Sequence, residues 1–240
     1  MQFTISSRME TGLSSQPGSD SLYMISSDSI EVIDHSDKQS LVLLMERVGE
    51  KIFVGDNIEG LFEFRGDTLA QPPGGDFFSN RIIMCLIPGD EEGEVIVGSF
   101  FDGIVSYNYL TGEVNEEFVN PGLNEVLARS NVYKGLALSD STFVIGTVSG
   151  GGVFIFNKDG KLLEQFDSDN SELLDNQVLS LFFDSDANYP ILWITNYGFI
   201  SKAYLGLPSR LSTWRQSIIL LPAHCVSTRI TSISQMTWVS

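Results

Sequence analysis

Short runs of Val, Ile, Leu and Phe recur along the chain, each bounded by Gly, Asp, Asn or Ser. Phe53-Val54-Gly55-Asp56 precedes Gly60-Leu61-Phe62-Glu63-Phe64, and Ile96-Val97-Gly98-Ser99 precedes Gly103-Ile104-Val105-Ser106-Tyr107. Val144-Ile145-Gly146-Thr147 precedes Gly152-Val153-Phe154-Ile155-Phe156, and Trp193-Ile194-Thr195-Asn196 precedes Gly198-Phe199-Ile200-Ser201-Lys202. Two β-rich runs joined by a glycine-bearing turn are a hairpin signature. Gly60, Gly103, Gly152 and Gly198 recur at spacings of 43, 49 and 46 residues. A fainter copy, Tyr23-Met24-Ile25-Ser26 then Ile30-Glu31-Val32-Ile33, lacks both glycines.

Upstream of each clear hairpin lies another apolar stretch opened by Asn80, Asn131 or Asn176 and closed by Asp90, Asp140 or Asp184. A more variable run follows, such as Leu162-Leu163-Glu164-Gln165-Phe166. One unit therefore reads strand, acidic turn, strand, glycine turn, strand, outer strand. Four strands per unit at this period describe the blade of a β-propeller, whose sheets pack radially around a channel. The expected fold is all-β: a partial propeller of four to five four-stranded blades. Residues 1–39 hold the faint first unit, 40–205 the clear repeats and 206–240 a tail without repeat. Helical periodicity is hard to find, and the Asp, Asn, Gly and Ser turns oppose it.

The chain has 240 residues, 42% of them apolar, so it has the composition of a folded domain. A net charge of −17 repels phosphate backbones and anionic lipid, which argues against nucleic acid as a partner and against membrane contact by this chain. Two cysteines, Cys85 and Cys225, and two histidines, His35 and His224, are too few for a disulfide scaffold or a His- or Cys-based metal centre. No metal and no cofactor are expected. The longest apolar run, Ile82 to Ile87, is six residues, against the roughly 20 of a membrane-spanning helix. The first twenty residues carry no apolar stretch of export-signal length, so an exported protein would need that segment supplied elsewhere.

The unit Asn176-Gln177-Val178-Leu179-Ser180-Leu181-Phe182-Phe183-Asp184, followed by Leu192-Trp193-Ile194-Thr195 and Gly198-Phe199-Ile200-Ser201, resembles the two-component regulator propeller repeat. Gly146-Thr147 through Gly150-Gly151-Gly152-Val153 matches its second half. The resemblance covers roughly residues 40 to 205. Departures are the single Trp193 at that repeat position, Thr195 in place of a glycine, and a turn lengthened by Ala187 to Pro190. The resemblance implies an extracytoplasmic, periplasmic sensor portion of a bacterial signalling receptor, whose effector part would be a kinase, cyclase or DNA-binding regulator. No such effector is read in this chain.

Residues 206–240 contain no Asp or Glu and three arginines, Arg210, Arg215 and Arg229, so the charge is −20 before the tail and +3 within it. A linker towards a lost domain, a divergent closing strand and sequence foreign to the gene all fit, and the last is favoured. Four clear copies and one faint one sit at the low end of the 4–8 blades of a propeller. A piece of a longer ring with an open blade edge is expected, and with it self-association or contact with further blades.

Arg81, Tyr133, Lys134 and Gln177 lie just inside the repeated Asn positions and differ between copies, so they are expected to rim one end of the channel. Variation on a repeated scaffold is where specificity is placed. Asn80, Asn131 and Asn176 themselves read as turn residues bonding the backbone. Asp184-x-Asp186-x-Asn188 resembles half a calcium loop but lacks its glycine and its bidentate Glu, and reads as an acidic turn. Gly150-Gly151-Gly152 precedes a strand, not a helix, so it is not a phosphate loop. Arg65-Gly66-Asp67 reads as a tight turn, and the pairs Glu91-Glu92 and Glu116-Glu117 are not placed for glycoside hydrolysis. The function expected is non-catalytic sensing of an extracellular small molecule or oligosaccharide; a propeller glycoside hydrolase or lyase and a WD-like interaction scaffold are the alternatives.

Overall fold

The computed structural model describes residues 3–6, 11–15, 21–26, 29–34, 41–66, 68–185 and 190–205. They form five antiparallel sheets with strands in sequence order. The first holds β1 (Phe3–Ser6), β2 (Thr11–Ser15), β3 (Ser21–Ser26) and β4 (Ile30–Asp34). The second holds β5 (Val42–Val48), β6 (Lys51–Asp56), β7 (Leu61–Phe64) and β8 (Leu69–Ala70). The third holds β9 (Ile83–Pro88), β10 (Glu94–Ser99), β11 (Gly103–Asn108) and β12 (Val114–Asn115). The fourth holds β13 (Val132–Ser139), β14 (Thr142–Thr147), β15 (Val153–Asn157) and β16 (Leu162–Phe166). The fifth holds β17 (Ser180–Asp184), β18 (Ile191–Asn196) and β19 (Phe199–Tyr204). Each sheet's first strand is innermost: β9 lies between β5 and β13, and β13 between β9 and β17. This is the all-β propeller arrangement.

A sheet between two others is apolar on both faces, which is why the middle strands read as continuous apolar runs instead of alternating ones. Along β10 every residue from Val95 to Ser99 is buried. Four cores fill the four junctions. Leu22 meets Val42, Met45 and Val54 between the first two sheets. Phe53, Leu61 and Phe78 meet Ile83, Val97 and Tyr107 at the second junction. Ile87, Ile96 and Ile104 meet Val132, Phe143 and Phe154 at the third, and Val144, Val153 and Ile155 meet Val178, Leu192 and Ile194 at the fourth.

The two glycines of the repeat have different jobs. Gly55, Gly98 and Gly146 sit where the next sheet's first strand comes closest: a Cβ would stand 3.3 Å from Ile83 Cβ, 2.9 Å from Val132 Cγ1 and 2.5 Å from Val178 Cγ1 respectively. In the second and fourth sheets the second glycine lies where the connection from the outer strand to the next inner strand crosses, whereas a Cβ at Gly198 would meet nothing within 4 Å. Gly60 and Gly152 have φ of 93° and 78°, and a Cβ there would run into the carbonyls of Phe78 and Phe166.

Two readings need correction. The faint copy Tyr23–Ser26 with Ile30–Ile33 is not a middle hairpin but the outer pair β3–β4, since β1 and β2 precede it in the same sheet. Without its glycines the unit offered no phase marker. The chain also makes one α-helix among the described residues, α1 (Pro121–Ser130), between the third and fourth sheets. Asn120 caps it by accepting the Gly122 N–H at 3.0 Å, Pro121 opens it, and Asn131 at φ 57° ends it. Leu127 alone on the helix is fully buried, too narrow a stripe to show as periodicity. Asn124 Oδ1 accepts the Ile104 N–H at 2.8 Å and so fastens the helix over the β10–β11 turn.

Gly146→Ala is expected to lower unfolding free energy by about 1–3 kcal/mol through overpacking against Val178. Gly122→Ala meets only Asn120 Oδ1 at 3.4 Å and is expected to leave stability unchanged or raise it by up to about 1 kcal/mol. Urea denaturation of the two variants checks this; equal losses would refute the close-approach role.

Candidate functional site

Strand order places the starts of the inner strands, the turns between second and third strands and the connections between sheets at one end of the array. Asn80 and Asn131 adopt left-handed φ of 63° and 57°, a conformation Asn tolerates better than bulkier residues. The Asn80 N–H donates to the Ile58 carbonyl at 2.8 Å, and Asn131 Nδ2 donates to the Phe100 carbonyl at 3.2 Å, tying each sheet to the preceding one. Asn176 Oδ1 accepts the Ser168 N–H at 2.6 Å.

A polar position that sequence reasoning passed over supports this end. The residue after the first glycine, or after Thr195, is Asp56, Ser99, Thr147 or Asn196, and all four are buried. Asp56 Oδ1 accepts from the N–H groups of Ile58 and Glu59 at 2.6 Å each, and Thr147 Oγ1 donates to the Gly152 carbonyl at 3.1 Å. Asn196 Nδ2 donates to the carbonyls of Asp175 and Gln177, both at 2.7 Å. The signal was present as a small polar residue in the same place of every copy, and burial gives it meaning, because a buried polar group needs partners.

The four candidates separate into three settings. Arg81 is half-buried, its guanidinium 4.2 Å from the Phe77 ring centroid and 3.3 Å from Asp102 Oδ1. Gln177 precedes β17, its N–H donating to Asp175 Oδ1 at 2.9 Å and its carbonyl held by Asn196. Tyr133 and Lys134 share the start of β13, with the Lys134 ammonium 5.4 Å from the Tyr133 ring centroid. Burial pushes this ammonium below the usual lysine range, and the Glu46 carboxylate of β5 works against that shift from across β9. Glu46 keeps solvent-exposed surface, yet it is enclosed enough that burial raises its carboxyl, an effect the Lys134 charge reduces. Cys85 lies buried on β9 between them, its thiol pushed up to about 12 by burial, so it is neutral and inert at physiological pH.

The structure thus sets Tyr133 and Lys134 side by side, with the Glu46 charge acting on Lys134 from β5, and places Arg81 and Gln177 with other partners. Such a group offers a charge of each sign and a phenol in a partly desolvated setting, chemistry that suits a polar ligand. Trp193 is half-buried on β18, beneath Lys202 at 6.0 Å. The Arg65 N–H donates to the Thr68 carbonyl at 2.8 Å across the tight turn, while Asp67, Asp186 and Asn188 lie outside the described residues. Among the described residues, no three or more His, Cys, Asp or Glu side chains converge as a metal site, and no helix is long and apolar enough to cross a membrane.

No family model matches the sequence, and neither does any curated protein. The fold is similar to that of the extracellular domain of the putative hybrid two component system BT3049 from B. thetaiotaomicron, with TM-score 0.66 and 14% identity over 83% of this chain. It is also similar to the extracellular domain of the putative one component system BT4673 from the same organism, with TM-score 0.51 and 20% identity over 72% of this chain. The chain spans 26% and 23% of those two chains. Virginiamycin B lyase from Staphylococcus aureus gives TM-score 0.60 and 10% identity over 80% of this chain and 62% of its own. At these identities the likeness is one of fold: the repeat resembles the two-component regulator propeller in sequence, and the sheets resemble such extracellular propellers in structure.

The Lys134 ammonium is expected to titrate below 10.5, and in Glu46→Gln lower still, because the opposing carboxylate is gone. Between the depressed folded value and the unfolded one the folded state holds fewer protons, so Lys134 makes stability rise with pH across that window. NMR titration of the lysine side chain checks the order; identical values in both proteins would refute the coupling across β9.

Proposed function

We propose that this propeller is a non-catalytic ligand-sensing module, the extracytoplasmic portion of a bacterial signalling receptor. It binds a small polar molecule or an oligosaccharide at the end of the channel where the inner strands start. The observation that carries the reading is the pairing of Tyr133 and Lys134 at the start of β13, an ammonium 5.4 Å from the phenol ring and partly stripped of water, with the charge of Glu46 acting on it from β5. Arg81 and Gln177 flank it on the neighbouring strand starts. The likeness to extracellular receptor domains supports the location and the sensor role. Binding in such a module signals by shifting the equilibrium of an effector, to the extent that the ligand prefers one state.

The likeness to virginiamycin B lyase favours one second reading, a propeller lyase acting at the same end of the channel.

A thermal-shift and NMR screen against oligosaccharides and small polar metabolites is expected to return a specific binder without turnover. Lys134→Met is expected to weaken that binder about ten- to a hundredfold, the cost of a charged hydrogen bond, whereas Lys161→Met, exposed in the β15–β16 turn at the other end, leaves it unchanged. Product detected by mass spectrometry would establish the lyase reading instead, and indifference to Lys134→Met would move the site elsewhere.

A further inference from the structure

Exposed apolar side chains recur at the end of the array where the inner strands start. Ile58 stands in the β6–β7 turn, Phe101 in the β10–β11 turn and Tyr197 in the β18–β19 turn, with Phe101 63% and Tyr197 62% exposed. Val126 on α1 and Leu174 in the connection from β16 to β17 are exposed at the same end. A single exposed apolar residue needs no explanation, but one in the same turn of three sheets, with two more on the connections, marks an interaction surface. Phe101 is braced edge-on by Phe100, their ring centroids 4.7 Å apart, so it has little freedom to lose on binding.

Carboxylates accompany these tips. Ile58 is followed by Glu59, Phe101 by Asp102 and Leu174 by Asp175, and Val126 is preceded by Glu125. Asp76, Glu116, Glu117, Asp169 and Glu172, on the connections at this end, are exposed and enter no ion pair among the described residues. The cations there do not balance them: Arg81 already faces Asp102 at 3.3 Å, Arg129 faces Glu125 at 2.8 Å, and Lys134 is half-buried at the start of β13. Apolar contacts set in a surplus of negative charge repel nucleic acid and anionic lipid and favour a cationic partner. Packed sheets lie about 10 Å apart, so tips on the second, third and fifth sheets span more than a small ligand covers.

We propose that this end docks a basic, amphipathic polypeptide segment of a partner protein, its apolar side chains against Ile58, Phe101 and Tyr197 and its lysines or arginines against the carboxylates beside them. A segment that mixes cations with apolar residues meets both features at once, whereas an acidic one is repelled and a wholly polar one leaves the tips uncovered. The contact uses the turns and connections, not the inner strand that carries Lys134, and does not rest on the ligand reading.

The test is fluorescence anisotropy on the full chain with three labelled synthetic peptides of equal length, alternating lysine with leucine, lysine with serine, or glutamate with leucine. The lysine–leucine peptide is expected to bind, the lysine–serine peptide about tenfold more weakly or worse, and the glutamate–leucine peptide not at all. Joint replacement Phe101→Ser and Tyr197→Ser, both at exposed side chains, is expected to weaken the lysine–leucine peptide about tenfold or more. Leu110→Ser, exposed in the β11–β12 turn at the other end, is expected to leave it unchanged, with urea denaturation confirming that every variant is folded. Lys134→Met is expected to leave it unchanged as well, so that this contact and the ligand site fail separately. Absence of binding by the lysine–leucine peptide would overturn the proposal, as would equal binding of the lysine–serine peptide, which reduces the contact to net charge. A loss in Leu110→Ser matching that of the joint variant would overturn it too.

Discussion

Sheets that radiate from a channel are closest at their inner strands, and the structure depends on what happens at that closest approach. Two opposing side chains do not fit there. The chain gives one sheet a glycine and the next a branched residue, so that Gly55 faces Ile83, Gly98 faces Val132 and Gly146 faces Val178. With the inner strands set at that distance, the middle strands face each other across a gap wide enough for Phe53, Tyr107, Phe143, Phe154 and Phe156, all fully buried. Large rings occupy the wide part of the wedge and glycines the narrow part, as interior close packing demands.

Polar contacts at the two ends keep neighbouring sheets from sliding. At the end where inner strands start, buried Asp56, Thr147 and Asn196 hold turns and connections. At the other end Lys158, buried on the fourth sheet, reaches the Pro88 carbonyl of the third, and burial holds its ammonium below the usual range against the pull of Asp90 and Glu94. Glu94 accepts from the Asp90 and Glu91 N–H groups at 3.0 and 3.2 Å and from the Ser106 hydroxyl at 2.5 Å, bonds that lower its carboxyl despite its burial. Hydrogen bonds to a partly buried charge are worth more than those between neutral groups, so this corner fixes the relation of two sheets with few residues.

The repeat was legible because the wedge imposes it: a glycine at the narrow edge is a local demand that leaves its mark at Gly55, Gly98 and Gly146, and a second glycine marks the following turn. Where the marks are missing, the reading slipped, and the first sheet was phased by one strand for want of them. The helix α1 was illegible for a different reason, since it buries one leucine and is held by Asn120, Asn124 and Asn131, residues equally at home in turns. At the candidate site the positions of Tyr133 and Lys134 were legible but their company was not. The Glu46 charge acts on Lys134 only because β5 and β13 flank β9, a relation set by the curvature of the array and absent from local spacing.

That same curvature bears on the recognition role proposed for the strand-start end. Inner strands converging on a narrow channel strip water from side chains there, which is the origin of the depressed Lys134 ammonium and the raised Glu46 carboxyl. A charge desolvated during folding has less water to lose when a ligand arrives, and its field is less screened than on an open surface. The cost has been met by the cores at the junctions, where aromatic burial supplies stability that the site itself does not. Geometry that demands glycine at the narrow edge therefore also sets the burial of the neighbouring positions, and lets their identities vary without loss of the fold.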